Sequence, residues 1–443
     1  MTSTSDESSR RELVAWAVLV LVVAATYALN VLEPRTPAAK APAVRAEMRL
    51  VGQYVVGVRT ILGRLPSDEL VEKLLRDLES QAVTPGDRLA LVILTAELGS
   101  LDHARTRVGT LRAELGPDAP TSADLAILEK LWAETSERPT ADELDGLVER
   151  YGWFGELATA PPDDRGRVLR PAVATAVALF VVLGLGGMAF LAGCGLLLVA
   201  LVQGRTRPLL DGYRRIESGL PSVRPASLEA TVLFMAALLG LSLVAGWIQS
   251  AADSWTAQLL IVLALPVLVW PRVRRVGWSE LRRGLGWSRG RGLPIEIGSG
   301  LVGYVAGMPI LAAGLAMSFL LVQVVESPPY HPIVDWIREA GLGGRLTVYA
   351  LACVWAPLVE ESVFRGHFFH YLRGRMSVAA SVLIQALVFA AIHPQGLAGI
   401  PVLAALASVL ALIREWRGSL VASITVHALH NALAVTLLVV VFS

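Results

Sequence analysis

Long apolar runs recur along this chain, and they restrict its fold more than any other feature. A helix needs about 20 apolar residues to cross the hydrocarbon core of a bilayer, and it satisfies its backbone hydrogen bonds internally. The pattern therefore predicts an all-α, polytopic transmembrane helix bundle of about eight or nine spans. The runs cover about residues 13–32, 171–203, 229–250, 257–270, 299–325, 347–372, 377–393, 400–413 and 418–442.

The composition agrees with a membrane protein. Only 17% of the 443 residues are charged and 54% are hydrophobic, whereas a soluble domain carries roughly 25% charged residues. The net charge of +1 gives no basic excess for a nucleic-acid partner. Cys194 and Cys353 both lie in predicted spans, which favours two small buried side chains over a disulfide or a metal site.

A segment of different character separates the first two apolar runs. Between residues 33 and 169, charged residues interleave with Leu, Ala and Val at helical spacing, and Pro and Gly punctuate the pattern. Capping signals, such as Thr140 followed by Glu143, indicate helix starts. We expect an inserted soluble domain of about six amphipathic helices. The predicted organisation has four parts. The N-terminus and first anchor cover 1–32, this helical domain covers 33–169, spans with basic loops cover 170–298, and a transmembrane core covers 299–443.

The arginines predict the orientation of the bundle. The alternate short loops hold only Arg338 and Arg345, and cytoplasmic loops carry the excess of basic residues in membrane proteins. We therefore expect a multi-pass protein of the cell (inner) membrane with a cytoplasmic N-terminus and an extracytoplasmic 33–169 domain. The basic loops contain Arg205, Arg207, Arg214, Arg215, Arg224, Arg272, Arg274, Arg275, Arg282, Arg283, Arg289, Arg291, Arg373, Arg375, Arg414 and Arg417.

Two adjacent glutamates, Glu360 and Glu361, lie inside the apolar run 347–372. An ionised carboxylate at the bilayer centre costs about 2.5–3.5 kcal/mol on insertion scales, so such residues usually face a polar cavity and mark a functional site. On a helix, Glu361 and Arg365 are i,i+4 neighbours that can form an ion pair. Glu360 points about 100° away from that pair. The sequence therefore predicts a structural Glu361 and a Glu360 that is free for proton transfer.

Several histidines lie in the same third of the chain. His393 closes a predicted helix just before a proline, and His427 shares one helix face with Asn431. A carboxylate and an imidazole can together deprotonate water, and nearby donors can stabilise an oxyanion, which is what peptide hydrolysis requires. Taken singly, each group also fits a structural role, either a salt bridge or interhelical hydrogen bonding.

Together, these groups resemble the signature of a known protease family. The three motifs are Glu-Glu-x-x-x-Arg, Phe-x-x-x-His and His-x-x-x-Asn, on successive predicted spans. They are similar to those of the CAAX-processing and bacteriocin-processing (CPBP, or Abi) intramembrane proteases, and the resemblance covers about residues 300–443. In this chain the motifs consist of Glu360-Glu361…Arg365, Phe389…His393 and His427…Asn431.

The resemblance implies an intramembrane glutamic endopeptidase that hydrolyses a peptide bond of a membrane-associated protein or peptide. Glu360 would be the general base, and His393 would be its partner in activating water. His427 and Asn431 would form the oxyanion hole. The site would lie in a cavity reached from the cytoplasmic side, and no cofactor would be needed.

Within the same resemblance, Glu361 and Arg365 would orient their helix and tune Glu360. A zinc-dependent intramembrane metalloprotease is the alternative mechanism, with Glu360, His393 and His427 as ligands around an open position. We rank zinc second because the chain has no His-Glu-x-x-His motif and the paired glutamates suit water activation.

Two functions outside proteolysis also fit parts of the pattern. A non-catalytic immunity or scaffold protein could share the fold, and a proton-coupled transporter would also use intramembrane Glu and His. A transporter predicts inverted repeats, and the hydropathy shows no convincing one. His367 and His370 lie outside the motifs and are expected at the membrane interface, without a catalytic role. The 33–169 domain is a predicted binding surface for substrate or a protein partner.

Overall fold

The structure is a computed structural model that describes most of the chain as helices. Within the described ranges it contains no β-strand. Part of the predicted basic loop, from Arg205 to Arg215, lies outside these ranges, as does the predicted boundary at residue 33. The described residues are 2–32, 44–63, 67–82, 84–116, 119–133, 138–204, 223–249, 259–325, 333–339 and 341–442.

The chain divides into two compact units. Residues 35–187 form one unit, and residues 1–34 together with 188–443 form the other. In the first unit, the described residues contain seven helices before the long helix α9, where the sequence predicted about six. These elements are α2 (Ala46–Leu62), α3 (Asp68–Gln81), α4 (Pro85–Leu98), α5 (Leu101–Leu115), α6 (Pro120–Trp132), α7 (Ala141–Tyr151), α8 (Trp153–Thr159), a 3-10 turn (Pro162–Asp164) and the first part of α9 (Arg165–Gly204).

Local signals explain where several of these helices begin. The predicted capping box at α7 is present: the Thr140 hydroxyl accepts from the Glu143 backbone N–H, and the Glu143 carboxylate accepts from the Thr140 backbone N–H. Between α6 and α7, the Tyr151 hydroxyl donates to Asp124 Oδ2 at 2.7 Å. Burial, with help from that carboxylate, raises the pKa of the Tyr151 phenol.

The second unit contains the apolar helices. It begins with α1 (Thr2–Leu32), and the C-terminal part of α9 also belongs to it. The other elements are α10 (Val223–Gln249), a 3-10 segment (Leu259–Val269), α11 (Trp270–Val273), α12 (Trp278–Leu285), α13 (Leu293–Val325), α14 (Ile333–Glu339), α15 (Leu342–Arg373), α16 (Val378–Ala391), α17 (Gly396–Arg417) and α18 (Leu420–Phe442).

The protein is a multi-pass membrane protein, because seven helices in the described part of the chain are long and apolar enough to cross a bilayer. Two of the nine predicted runs instead form shorter apolar helices, Val262–Val273 and Val378–Ala391. The run predicted as a short span at 400–413 is in fact part of α17, which is 22 residues long.

Helix α15 departs from α geometry at two places. Residues Leu351–Trp355 and Glu361–Phe368 are π-helical. A π segment shifts the backbone hydrogen bonds to i→i+5. Such segments are rare in proteins, and those that occur often lie at functional sites. All eight residues of the second segment are buried. The first motif, with its paired glutamates, therefore spans the junction between an α turn and a buried π segment.

Glycines allow α13 to pack closely against α17 and α18. A Cβ atom on Gly307 would lie 2.5 Å from Val409 Cγ1, and one on Gly300 would lie 2.6 Å from the Ala422 carbonyl oxygen. Small residues permit this approach between membrane helices, where packing replaces the hydrophobic effect as the driving force. The close packing fixes α18, which carries the third motif, against the rest of the bundle.

Candidate active site

Glu361 joins the first and third motifs. Its Oε1 atom lies 2.9 Å from Arg365 Nη1, in the i,i+4 ion pair that the sequence predicted. The same oxygen lies 2.9 Å from His427 Nδ1 on α18. The side chains of Glu361 and Arg365 are both 0% exposed. Residues that are far apart in sequence therefore form one buried polar cluster, and Glu361 is its centre.

Arg365 has further partners that offset the energetic cost of burying its charge. Its Nη2 donates to the Ala407 carbonyl at 3.2 Å, and its guanidinium lies over the Phe389 ring, 4.7 Å from the centroid. A buried ion pair is costly to desolvate unless additional contacts satisfy both charges. The carbonyl of α17 and the aromatic face of α16 supply such contacts. Arg365 therefore ties α15 to both neighbouring helices.

The contact with Glu361 fixes the proton on His427. A carboxylate accepts hydrogen bonds, so Nδ1 must be the donor, and Nε2 is the nitrogen left for other partners. That Nε2 lies 3.8 Å from Glu360 Oε2. The sequence assigned Glu361 to tuning Glu360. In the structure its direct partners are Arg365 and His427, so it acts on the third motif as well.

Glu360 is the more accessible of the two glutamates. Its side chain is 25% exposed, whereas that of Glu361 is 0% exposed. Besides its approach to His427, its charge interacts with Arg365 and His393. One carboxylate is therefore enclosed in an ion pair, and its neighbour in sequence stays accessible beside two imidazoles.

His393 lies in the turn after α16, which ends two residues earlier at Ala391. Its Nδ1 lies 2.6 Å from the Phe389 carbonyl oxygen. Because a carbonyl only accepts, Nδ1 carries the proton, and Nε2 presents a lone pair in the neutral ring. His393 and His427 thus each use Nδ1 for a hydrogen bond and leave Nε2 for other partners.

Phe389 is the aromatic centre of the site. Its ring centroid lies 4.3 Å from that of His393, 6.2 Å from that of His427 and 5.0 Å from that of Phe364. Together with the Arg365 contact, one aromatic ring touches members of all three motifs. The second sequence motif includes this Phe, four residues before His393, but the motif alone predicted no role for the ring.

Asn431 makes a specific contact with the first π segment. Its Nδ2 donates to the Ala352 carbonyl oxygen at 2.8 Å. The amide nitrogen has a second N–H that this bond does not use. Asn431, the predicted oxyanion donor, is therefore anchored to the first π segment of α15, which precedes the glutamates. Its second amide N–H is left for another acceptor.

The remaining histidines of this region have different surroundings. His430 Nδ1 lies 2.9 Å from the hydroxyl of Tyr304 on α13, so His430 faces a different helix from His427. His367 and His370 are each 1% exposed, and His367 Nε2 donates to the Leu268 carbonyl at 3.0 Å. Both side chains are therefore buried within the protein, and the expectation that they lie at the depth of the membrane interface stays a prediction.

The zinc alternative needs a cluster of ligands. Within the described residues, no three or more His, Cys, Asp or Glu side chains form a group that could hold a metal ion. The zinc alternative, with Glu360, His393 and His427 as ligands, stays a prediction. The Nδ1 atoms of His393 and His427 are hydrogen-bonded to Phe389 and Glu361, and such a bond is compatible with metal binding through Nε2.

The fold and the site define a class: a multi-pass helical membrane protein with a buried Glu–Arg–His cluster and an accessible glutamate beside it. Residues 343–433 match a family model described as Rce1-like, type II CAAX prenyl endopeptidase Rce1-like. The match contains all three motifs and confirms the family resemblance for this segment, which is similar to a family of membrane proteases. It covers less than half of the chain. No curated protein and no solved structure matched the chain.

Proposed function

We propose that this protein is an intramembrane endopeptidase that hydrolyses a peptide bond of a membrane-associated protein or peptide. Glu360 and His393 activate the water molecule, and His427 and Asn431 stabilise the oxyanion. The observation that carries this proposal is the junction of the motifs at the paired glutamates. Glu361 holds Arg365 and His427 at 2.9 Å, while Glu360 remains 25% exposed and 3.8 Å from His427 Nε2.

The chemistry requires a base for water and an acid for the leaving amine. The Glu360 carboxylate takes a proton from water, and the oxygen attacks the carbonyl carbon of the scissile bond. The tetrahedral intermediate then collapses as the C–N bond breaks, and the proton passes to the leaving nitrogen. His393 supports this step because its Nδ1 is fixed on Phe389, which orients the ring and leaves Nε2 for the water.

The proposed role of His427 depends on its protonation. Since Nδ1 already donates to Glu361, Nε2 can donate to an oxyanion only when the ring carries both protons. Two carboxylates lie beside the ring, Glu361 at 2.9 Å from Nδ1 and Glu360 at 3.8 Å from Nε2. The second N–H of Asn431 is the other donor. These donors are fixed before the reaction, which is the condition for effective oxyanion stabilisation.

We place the protein in the cell (inner) membrane with a cytoplasmic N-terminus, on the strength of the arginine distribution. The 33–169 domain is assigned to a protein partner or to substrate recruitment. A groove of about 310 Å³ between α3, α4 and α5 supports this assignment, since charged pairs border an apolar floor. The pairs are Arg107–Glu79 and Arg88–Glu114, each at 2.9 Å.

The test compares membranes from cells that express the wild type or Glu360→Gln. Labelling of new protein N-termini followed by mass spectrometry identifies cleavage products. A substrate found in this way is then cleaved with purified, reconstituted protein, using wild type, Glu360→Gln and His393→Ala, with and without a zinc chelator. Glu149→Gln, an exposed carboxylate of the first unit, serves as the matched control.

We expect wild type and Glu149→Gln to cleave, both site variants to be inactive, and the chelator to have no effect. Loss of activity with chelator would favour the zinc alternative. Equal cleavage by Glu360→Gln and wild type would refute the catalytic assignment of Glu360. Absence of cleavage by the wild type would favour a non-catalytic immunity or scaffold role. Prenylated and unprenylated versions of the same substrate decide whether the substrate class in the family name applies to this chain.

A further inference from the structure

The turn that carries His393 depends on hydrogen bonds to carbonyl groups at the end of α16. The last carbonyls of a helix have no partner within it and must be satisfied from elsewhere. Here the His393 ring donates to the Phe389 carbonyl at 2.6 Å, and the His393 backbone N–H donates to the Ala390 carbonyl at 3.2 Å. These two bonds come from His393 itself. The carbonyl of Ile392, the residue before His393, is a further acceptor in this turn.

Asn30 supplies the partner for that carbonyl. Its Nδ2 donates to the Ile392 carbonyl oxygen at 3.1 Å. Asn30 lies near the C-terminal end of α1, more than 300 residues earlier in the chain and outside the segment that matches the protease family. The N-terminal helix thus bonds directly to the backbone next to a proposed active-site histidine.

Helix α1 is held against the core along its length, so the position of Asn30 is fixed. Near its start, Glu12 forms an ion pair with Arg375. One turn later, Trp16 Nε1 donates to the Tyr371 hydroxyl at 3.0 Å. Leu19 is 1% exposed and packs in the same apolar cluster as Phe389. These contacts, together with that of Asn30, therefore fix both the position of α1 along its axis and its rotation about that axis.

We propose that Asn30 is a positioning residue for His393, and that α1 is in this way part of the peptidase site. Asn30 does not touch the reacting atoms. It holds the Ile392 carbonyl and thereby the turn on which the His393 ring is mounted. Without the amide, a carbonyl in an apolar setting loses its partner, and the turn gains freedom. The kinetic consequence rests on the proposed function, whereas the structural consequence does not.

The experiment uses the full chain in detergent or lipid, with Asn30→Leu as the variant that removes the donor at similar size. Asn30→Gln retains the amide and tests rescue. Thr26→Val is the matched control, because Thr26 lies one turn earlier on α1 and its hydroxyl donates within the helix, to the Val22 carbonyl at 2.8 Å. If Asn30→Leu fails to fold, Asn30→Ala replaces it.

The first measurement requires no peptidase activity. Diethylpyrocarbonate modifies accessible, unprotonated histidine nitrogens, and mass spectrometry gives the rate at His393, with the exposed His103 as internal reference. We expect Asn30→Leu to raise the His393 rate about fivefold, the factor that a typical intramolecular hydrogen bond contributes to a local equilibrium. Thr26→Val should leave the rate unchanged, and Asn30→Gln should fall nearer to the wild type.

The second measurement separates positioning from general damage. Asn30→Leu should lower kcat about tenfold with little change in KM, because a small misplacement of a catalytic group acts on the chemical step. An unchanged His393 labelling rate in Asn30→Leu, or an equal rise in Thr26→Val, would overturn the assignment of Asn30. If wild type and Glu360→Gln are both inactive, the proposed function fails, and the labelling rates still decide the role of Asn30.

Discussion

The carboxylate of Glu361 and the imidazole of His427 meet at 2.9 Å across 66 residues of sequence. This contact connects two motifs and, through Arg365 on the same oxygen, satisfies a buried cation. It also selects the His427 nitrogen that faces Glu360. The two neighbouring glutamates therefore have distinct environments, and this difference leads to separate predictions for each.

Glu360→Gln should abolish cleavage without unfolding the protein. Removal of a general base costs about 10²–10⁴-fold in rate. The side chain is 25% exposed, so the neutral amide is accommodated. The measurements are kcat on a reconstituted substrate and the thermal unfolding midpoint. A variant that keeps wild-type kcat would contradict the role of Glu360, and one that loses activity only because its midpoint collapses would not support it.

Glu361→Gln should behave differently, because it leaves Arg365 buried without its counter-ion. Breaking a fully buried ion pair destabilises by about 3–5 kcal/mol. Arg365→Met should lower the free energy of unfolding by a similar amount. The double variant should lower it by less than the sum of the two single variants, since no unpaired charge remains. Denaturant or thermal unfolding in detergent measures these terms. Strict additivity of the two substitutions would show that the pair is not energetically coupled.

Asn431→Leu tests the second oxyanion donor. If the free N–H of Asn431 contacts the oxyanion, kcat should fall about 10²–10³-fold, the loss typical of one such donor. Thr436→Val is a matched control, because Thr436 also bonds α18 to α15, through the Tyr349 hydroxyl at 2.8 Å. Both variants lose one interhelical contact, so both should shift the unfolding midpoint slightly. A similar kcat for the two would assign Asn431 to anchoring on Ala352 alone.

The 35–187 unit should lose stability on acidification through Glu143. The Thr140 backbone N–H, followed by the Lys130 side chain, lowers the pKa of the Glu143 carboxyl below its ordinary value. A lowered folded-state pKa stabilises the fold above the unfolded-state pKa, about 4.3, and this contribution disappears as the pH falls through the folded-state pKa. Glu143→Gln should therefore flatten the decline in stability below about pH 5.

Tryptophan fluorescence of the full chain, recorded during unfolding at several pH values, measures that decline. Glu149→Gln, on the exposed face of the same helix α7, is the control and should keep the wild-type slope. An identical acid response in Glu143→Gln and the wild type would refute the assignment to the capping box.

Local rules explain the features that were predicted correctly. Helix geometry places residues four apart on one face, so the Glu361–Arg365 pair follows from spacing alone. The capping box at Thr140 and Glu143 is likewise a short-range pattern. The apolar runs fix helices because lipid leaves the backbone no other way to satisfy its hydrogen bonds. The three motifs also predicted the similarity of residues 343–433 to a family of membrane proteases.

Other features depend on how helices rotate and pack, and no local pattern encodes them. Two hydrogen bonds join residues from separate helices: Asn30 with the Ile392 carbonyl, and His430 with Tyr304. The burial of His367 and His370 likewise depends on neighbouring helices. The π segments of α15 shift side chains away from their ideal α positions. The sequence by itself determined the helices, the family resemblance of residues 343–433 and the pairs within a turn. Only the tertiary structure decided which glutamate binds His427 and which stays accessible, because that choice depends on where α18 packs against α15.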